Sequence, residues 1–176
     1  EAGKQGIKTY MMTPDKDYGQ LVTDNVFMYR PKYGDKEFEV MGVEEIKAKF
    51  DIQSPAQVID MLGLMGDSAD NIPGCPGVGE KTAQKLVAQF GSIENLLAHT
   101  DELKGAIKTK VESNKDQIEF SKFLATIKVD VPITLNMEEL SRKEPDEDEL
   151  RRLFEELEFR TLIDRVLKTN KTVASP

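Results

Sequence analysis

Two pairs of aspartates are the residues of this sequence best suited to chemistry. Asp15 and Asp17 lie in TPDKDYGQLV, after a predicted strand, and Asp67 and Asp70 lie in GDSADNIPGCPGVGEKTA. The chain has one cysteine and one histidine, so a metal site would need oxygen ligands, which favour Mg²⁺, Mn²⁺ or Ca²⁺. Two such ions about 4 Å apart can hydrolyse a phosphodiester. A structural role is the alternative, with Asp17 as a helix N-cap, Asp15 as a turn residue and the second pair at a capped helix end.

A glycine-rich loop directly follows the second aspartate pair. Gly74 and Gly79 have the spacing of a Walker A motif, but Glu80 stands where that motif requires lysine, and predicted helix precedes the loop instead of a strand. The dinucleotide-binding pattern GxGxxG also fails, because Thr82 replaces its third glycine. A hairpin between two helices fits the sequence better, with a simple turn between core helices as the alternative.

Such a hairpin could bind the phosphates of a DNA backbone. Gly77 and Gly79 would permit backbone angles that other residues avoid and would leave room for a close approach. The N–H groups of Val78, Gly79 and the next helical turn would then point outward at a positive helix terminus. Lys81 and Lys85 would add charge contacts, and such contacts bind any DNA sequence equally.

The elements that must position these residues follow from the hydrophobic periodicity. Strands are predicted over residues 6–13, 25–31 and 37–40, the last two separated by the turn-like KYGDK. Helical periodicity begins at residue 43. One helix is predicted from Pro55 to about Met65, and a second contains Ala83, Leu86, Val87 and Phe90. A short helix is predicted directly after Ser92, and a long one from Gly105 to Ile127. The last predicted helix lies within EPDEDELRRLFEELEF. The predicted fold class is mixed α/β and mostly α, with the remnant of a small sheet followed by a helical region.

Length and composition indicate a globular protein of one domain or two small ones. The 176 residues are 39% hydrophobic, and no apolar run is long enough to span a membrane. The net charge is −8, but residues 138–160 alone carry ten acidic and five basic side chains, whereas residues 80–122 carry seven of each. A nucleic-acid partner is therefore not excluded. Three regions are predicted, residues 1–42, 43–136 and 137–176, the last of them an acidic linker and a helix.

TPDKDYGQLV and GDSADNIPGCPGVGEKTA together resemble the 5′-nuclease (5′→3′ exonuclease) domain of bacterial DNA polymerase I, a family related to the flap endonucleases. VDVPI and KEPDEDELRRLFEELEFRTLIDRV resemble the stretch that leads into the next domain of that polymerase, so the resemblance covers nearly the whole chain. The family cuts 5′ single strands and flaps from branched or nicked DNA with two divalent ions. It acts in the removal of RNA primers and in DNA repair.

The resemblance implies a set of site residues. Asp15, Asp17, Asp67 and Asp70 match the family's second metal group and are expected to be catalytic and to bind Mg²⁺ or Mn²⁺. A helix–hairpin–helix, inside a helix–three-turn–helix unit, is expected to grip duplex DNA, and it is similar to sites that bind K⁺ through backbone carbonyls. Its expected DNA-binding residues are Gly74, Gly77, Val78, Gly79, Lys81, Thr82 and Lys85.

The resemblance also implies an enzyme that hydrolyses phosphodiesters at 5′ flaps and RNA primers by two-metal catalysis. The expected partners are nicked, branched or 5′-flap DNA and the remainder of the polymerase chain, in the nucleoid of a bacterial cytoplasm and without a membrane. The chain begins without methionine and without the acidic EADD-type motif and helical arch of the family's N-terminal half. This fragment alone is therefore expected to be inactive. A non-catalytic, sequence-independent DNA-binding module, with the aspartates as caps, is the rival interpretation.

Overall fold

A three-stranded sheet lies near the start of the chain in the computed structural model, which describes residues 1–32 and 37–167. Strands β1 (Thr9–Met12), β2 (Val26–Pro31) and β3 (Phe38–Met41) lie in the order β1-β2-β3. β2 is parallel to β1 and antiparallel to β3. The three predicted strands are confirmed, and the predicted turn KYGDK lies largely outside the described residues.

One face of the sheet belongs to the hydrophobic core. Met28 is paired with Met11 of β1 and with Met41 of β3. Met28 and Met41 are buried, and Met11 packs against the core while remaining partly exposed. Because side chains alternate between the two faces of a strand, the residues between these methionines lie on the opposite face. The sheet thus holds β1 in place, and the carboxyl end of β1 leads into the segment with the first aspartate pair.

Helices account for most of the remaining chain. The α-helices are α1 (Val43–Phe50), α2 (Val58–Met65), α3 (Glu80–Phe90), α4 (Ile93–Ala98), α5 (Gly105–Ser113), α6 (Lys115–Ala125), α7 (Glu147–Glu156) and α8 (Arg160–Leu162). Shorter 3₁₀ helices occur at Gly3–Gln5, Lys16–Leu21, Pro55–Gln57 and Thr100–Glu102, and a π-helix occurs at Ile163–Leu167. The predicted class, mostly helical with a small sheet, is confirmed. Gly91 ends α3 with a φ of 79°, and Ser92 Oγ accepts from the N–H of Asn95 at the start of α4.

The predicted long helix from Gly105 to Ile127 is wrong, because the chain breaks into α5 and α6 at Asn114. Asn114 has a φ of −129° and a ψ of 25°, and its Nδ2 donates to the carbonyl of Lys110 at 2.8 Å. An asparagine side chain that bonds to the preceding turn competes with the helical backbone pattern. Hydrophobic periodicity misses the break, because apolar residues are buried on both sides of it.

α2 is the centre of the hydrophobic core. Val58, Met61, Leu62 and Leu64 are between 0 and 1% exposed. The helix is apolar on nearly all sides, as a helix surrounded by other elements must be. Burial of each such side chain contributes about 1.5–3 kcal/mol. α3, α4 and α6 pack against α2, so the C-terminal end of α2 is held firmly where the second aspartate pair begins.

A buried acid joins α2 to two of these helices. Asp60 is 5% exposed, and its Oδ1 accepts from the N–H of Ile93 at 2.9 Å and from Nζ of Lys122 at 2.6 Å. The same Nζ donates to Glu94 at 2.7 Å, and this hydrogen bond lowers the pKa of Glu94. The network therefore ties α4 and α6 to α2.

The chain divides into two compact units, Glu1–Ile133 and Thr134–Pro176. In the second unit the predicted helix is confirmed as α7, whose N-cap Asp146 accepts at Oδ1 from the N–H of Glu149 at 3.0 Å. The predicted division into residues 1–42, 43–136 and 137–176 stays a prediction. Among the described residues, no helix combines the length and the apolar character that crossing a membrane requires.

Candidate metal centre and nucleic-acid interface

A closed loop at the C-terminal end of α2 carries Asp67 and Asp70. Gly66 ends the helix with a φ of 73°, and a Cβ there would lie 2.6 Å from the carbonyl oxygen of Ile72, so glycine is required. The N–H and carbonyl of Asp67 then pair with those of Ile72 at 2.9 and 2.8 Å. Asp67 is buried and Asp70 is exposed. Residues 66–73 are called the carboxylate loop below.

The first aspartate pair follows β1. Asp15 is the N-cap of the 3₁₀ helix Lys16–Leu21, and its Oδ1 accepts from the N–H of Asp17 at 3.0 Å. The cap is therefore Asp15 and not Asp17, contrary to the structural alternative drawn from the sequence. Asp17 is half-buried, and its Oδ1 is buried without a hydrogen-bond partner among the described residues. A buried carboxylate oxygen without a partner is unfavourable, and a bound cation would satisfy it.

Three of the four predicted aspartates lie together. One carboxylate oxygen from each of Asp17, Asp67 and Asp70 lies within 4.8 Å of the other two. Asp15 does not belong to this group, and one of its carboxylate oxygens forms the helix cap instead. An all-oxygen set of this kind suits a hard divalent cation such as Mg²⁺ or Mn²⁺. Asp17, Asp67 and Asp70 are called the carboxylate cluster below.

Lys16 supplies a positive charge to the carboxylate cluster. Its Nζ donates a hydrogen bond to Oδ2 of Asp67, and this bond lowers the pKa of Asp67. Burial is the largest influence on Lys16 and lowers its pKa, but the hydrogen bond to Asp67 and the attraction of Asp67, Asp17 and Asp15 together outweigh it, so the pKa of Lys16 is raised. Desolvation raises the pKa of Asp17, and repulsion from Asp15 adds to that effect. Sequence reasoning missed Lys16, although its position between two aspartates was a signal.

The hairpin, residues 74–79, leads from the carboxylate loop to α3. Gly74 and Gly77 have φ values of 62° and 72°, which favour glycine. A Cβ at Gly77 would also lie 2.5 Å from Nζ of Lys110. Gly79 differs from the prediction, because its φ of −98° is open to any residue and nothing lies within 4 Å of a Cβ placed there. This glycine therefore leaves open space but does not provide a special backbone angle.

The N–H groups predicted to point outward are only partly free. The N–H of Val78 donates to the carbonyl of Cys75 at 3.0 Å, and Val78 is 4% exposed. Val78 thus anchors the hairpin in the core, and the prediction that its N–H faces an anion is wrong. The N–H of Thr82 donates to the carbonyl of Gly79 at 3.0 Å. The two N–H groups before it, in the first turn of α3, have no acceptor within the helix.

Two lysines on successive turns of α3 complete the predicted surface. Lys81 and Lys85 are both exposed. Lys85 also lines an open groove of about 440 Å³ together with Lys104 and the acidic Glu102. The first turn of α3 and this groove form a surface with free N–H groups and three lysines, Lys81, Lys85 and Lys104, which outnumber the two acidic residues Glu80 and Glu102. Such a surface suits a phosphate backbone.

Comparison with known proteins assigns the family. The model of the family described as "5′-3′ exonuclease, C-terminal SAM fold" matches residues 53–148. DNA polymerase I of Bacillus subtilis (strain 168) is 43% identical over 166 residues, which are 94% of this chain and 19% of that protein. DNA polymerase I of Mycobacterium tuberculosis is 34% identical over 176 residues, which are 100% of this chain and 19% of that protein. The chain thus spans 19% of the length of these relatives.

A solved structure shares the fold. The bacteriophage T5 flap endonuclease, in a pseudo-enzyme-product complex with DNA and metal ions, matches with a TM-score of 0.62 and 18% identity over 70% of this chain and 44% of that chain. The small sheet and helical core therefore match the fold of this 5′-nuclease, and the family model assigns residues 53–148 to a C-terminal SAM fold. The chain belongs to the 5′-3′ exonuclease, C-terminal SAM fold family, and its curated relatives are bacterial DNA polymerases I.

Proposed function

We propose that this chain is part of the 5′→3′ exonuclease, or flap endonuclease, domain of a DNA polymerase I and supplies that domain's second metal group and its grip on duplex DNA. The observation that carries the proposal is the position of the carboxylate cluster, two of whose members lie on the loop that continues directly into the hairpin. Carboxylates beside a phosphate-binding surface suit DNA only when cations lie between them. The T5 neighbour, solved with both DNA and metal ions, supports this pairing.

The carboxylate cluster would hold a Mg²⁺ or Mn²⁺ ion. Asp17 would contribute its unpartnered Oδ1, and Asp67 and Asp70 would contribute one carboxylate oxygen each. In two-metal hydrolysis the ions activate a water and stabilise the leaving oxygen of the phosphodiester. Asp15 orients the Asp17 backbone, and Lys16 balances the charge of Asp67. The described residues offer one such cluster, so the isolated chain is expected to hold at most one ion well and to cleave DNA poorly.

The hairpin would act as a helix–hairpin–helix grip within a helix–three-turn–helix unit. Gly79 leaves open space for the approaching backbone, and the Lys110 ammonium group lies beside Gly77. Lys81 and Thr82 lie in the first turn of α3 and Lys85 lies in the next, where phosphates would bind. The grip would be independent of sequence and would act on nicked, branched or 5′-flap DNA. Replication and repair in the bacterial nucleoid, with the remaining polymerase chain attached, are the proposed setting.

The proposed K⁺ site concerns the carbonyls of the same hairpin. The carbonyl of Gly77 accepts a hydrogen bond from Nζ of Lys110 at 3.1 Å. A K⁺ ion at this carbonyl would therefore compete with the Lys110 ammonium group. Lys110 was not among the residues predicted from the sequence.

Cleavage of a 5′-flap duplex by the complete polymerase tests the proposal. Asp70→Asn should remove most of the Mg²⁺-dependent cleavage, while binding of the same duplex in EDTA should be as tight as that of the wild type or tighter, because a repelling charge is lost. Asp24→Asn is the matched control, because Asp24 is exposed and precedes β2, at the opposite end of the parallel strand pair from the cluster. Full cleavage by Asp70→Asn would overturn the catalytic role and leave the non-catalytic DNA-binding module as the better description.

A further inference from the structure

Gly74 is a junction between the carboxylate loop and the hairpin. A Cβ at Gly74 would lie 2.4 Å from the backbone nitrogen of Gly66 and 2.7 Å from the carbonyl carbon of Met65, so the two ends of the carboxylate loop are in direct backbone contact. The N–H of Cys75 donates to the carbonyl of Leu64 at 2.8 Å and fixes this contact to α2. A displacement of Gly74 would therefore move the carboxylate loop and the hairpin together.

α6 holds both polar backbone groups of Gly74. The N–H of Gly74 donates to Oγ of Ser121 at 3.0 Å, and its carbonyl accepts from Nε2 of Gln117 at 2.7 Å. Ser121 is fully buried, and its hydroxyl donates to the carbonyl of Gln117 at 2.7 Å. The hydroxyl proton is thereby directed along α6, which leaves a lone pair for Gly74. These contacts cross 43 and 47 residues of sequence.

The C-terminal end of α6 is joined to the other part of the carboxylate cluster through Gln20. Nε2 of Gln20 donates to the carbonyl of Asp17 at 2.9 Å and to the carbonyl of Ala125, the last residue of α6, at 3.0 Å. Its Oε1 accepts from the N–H of Ile127 at 2.9 Å. One glutamine thus links the backbone that carries Asp17 to the helix that also holds Gly74.

We propose that α6 sets the position of Asp17 against the carboxylate loop and the hairpin, and that Gln20, Gln117 and Ser121 are positioning residues for the metal and DNA sites. The proposal rests on the proposed function, since it assumes that the cluster binds a divalent ion. α6 can serve as this support because Lys122 anchors it to buried Asp60. Gln20 would position the metal ligands alone, whereas Gln117 would position both the ligands and the hairpin.

Direct Mn²⁺ binding to the 176-residue chain tests the proposal without using activity. Free Mn²⁺ is measured by electron paramagnetic resonance for the wild type, Gln20→Met and Gln117→Met. Residues that orient metal ligands typically change metal affinity by about 10- to 100-fold when removed, so the Kd of each variant should rise by about 10-fold or more. Gln84→Met is the matched control, because Nε2 of Gln84 also donates to a backbone carbonyl, that of Phe50, at 3.1 Å, and within the described part of the chain its side chain makes no hydrogen bond to α6.

A second measurement separates positioning from general destabilisation. Binding of a nicked duplex in EDTA, followed by fluorescence anisotropy, should weaken in Gln117→Met and stay unchanged in Gln20→Met. If both variants bind Mn²⁺ as tightly as Gln84→Met does, the positioning role is overturned while the metal site stands. If the wild type itself binds no Mn²⁺, the proposed function fails. Should Gln117→Met not fold, the Mn²⁺ affinity of Gln20→Met still decides the role of α6.

Discussion

Replacing Lys16 by methionine should destabilise the metal-free protein by about 2 kcal/mol. The Asp67 side chain that Lys16 contacts is 6% exposed, whereas the Lys16 side chain is 38% exposed. Breaking a buried ion pair costs about 3–5 kcal/mol, an exposed pair contributes about 0.2–1 kcal/mol, and this pair lies between the two cases. Asp67 would keep its hydrogen bond from the N–H of Ala69 at 2.9 Å. At about 2–4 °C per kcal/mol for a chain of this size, Tm should fall by about 4–8 °C.

Mn²⁺ should remove most of this difference, because an ion bound at Asp67 takes over the charge balance that Lys16 provides. An ion present at 100 times its Kd stabilises the native state by about 2.7 kcal/mol. The Lys16→Met variant should gain more than the wild type, since its Asp67 has no ammonium partner to lose. Thermal unfolding of both proteins in EDTA and in Mn²⁺ measures the gap in Tm.

Lys47→Met is the control for this experiment, because Lys47 pairs with Glu44 at 2.9 Å on the surface of α1. Its effect on Tm should be small and the same in both solutions. If the difference in Tm between the wild type and Lys16→Met is the same in EDTA and in Mn²⁺, the inference that Lys16 and the metal share Asp67 is refuted. The absence of any gap in EDTA would refute the contribution assigned to the ion pair.

Three further outcomes are expected. Gly74→Ala should lower Tm strongly, because a Cβ there lies 2.4 Å from a backbone nitrogen at a φ of 62°. Gly79→Ala meets no atom within 4 Å and should lower Tm much less in the same thermal scans, through the poorer N-cap alone. Lys81→Glu should weaken binding to duplexes of any sequence and flatten the dependence of affinity on salt, and an unchanged slope in anisotropy titrations would count against the hairpin grip. The hydrogen bond from Lys16 lowers the pKa of Asp67 in the folded protein. The free energy of unfolding that this bond contributes is therefore fully present above the usual aspartate pKa of about 4, and it is lost as the pH falls through the lowered pKa of folded Asp67. In acid unfolding curves, Lys16→Met should lose less stability than the wild type over this pH range.

Local patterns in the sequence predicted most of the elements. The end of α3 at Gly91 and the start of α4 at Ser92 each depend on residues within one helical turn, and both predictions hold. The three strands could be predicted for the same reason, from short β-branched and aromatic runs. The break at Asn114 could not be predicted from periodicity, because it depends on one side chain bonding to the turn before it.

The sequence predicted which residues could form the site but not how their side chains are arranged. Asp15 and Asp17 are two residues apart, and only the 3₁₀ helix that follows determines that Asp15 forms the cap while Asp17 joins the cluster. The contacts of Gln20 with Ala125 at the end of α6 and with Ile127 just beyond it cross 105 and 107 residues of sequence. A side-chain bond to a distant backbone group leaves no periodic signal, so α6 could not be identified as a support before the structure was known.

The balance of charge at the cluster indicates how the proposed binding to DNA is compatible with an acidic chain. The three carboxylates of the cluster and the ammonium group of Lys16 together carry a charge of −2 when all are ionised, which is the charge that one divalent ion neutralises. Much of the remaining net negative charge lies in residues 138–160, which belong to the second unit. It does not lie in the segment that holds the hairpin. With an ion bound, the surface next to the hairpin would present a neutral cluster beside the positive start of α3. The aspartates that would repel a phosphate backbone in the metal-free chain would then no longer do so, and the bound ion could itself contact a phosphate oxygen.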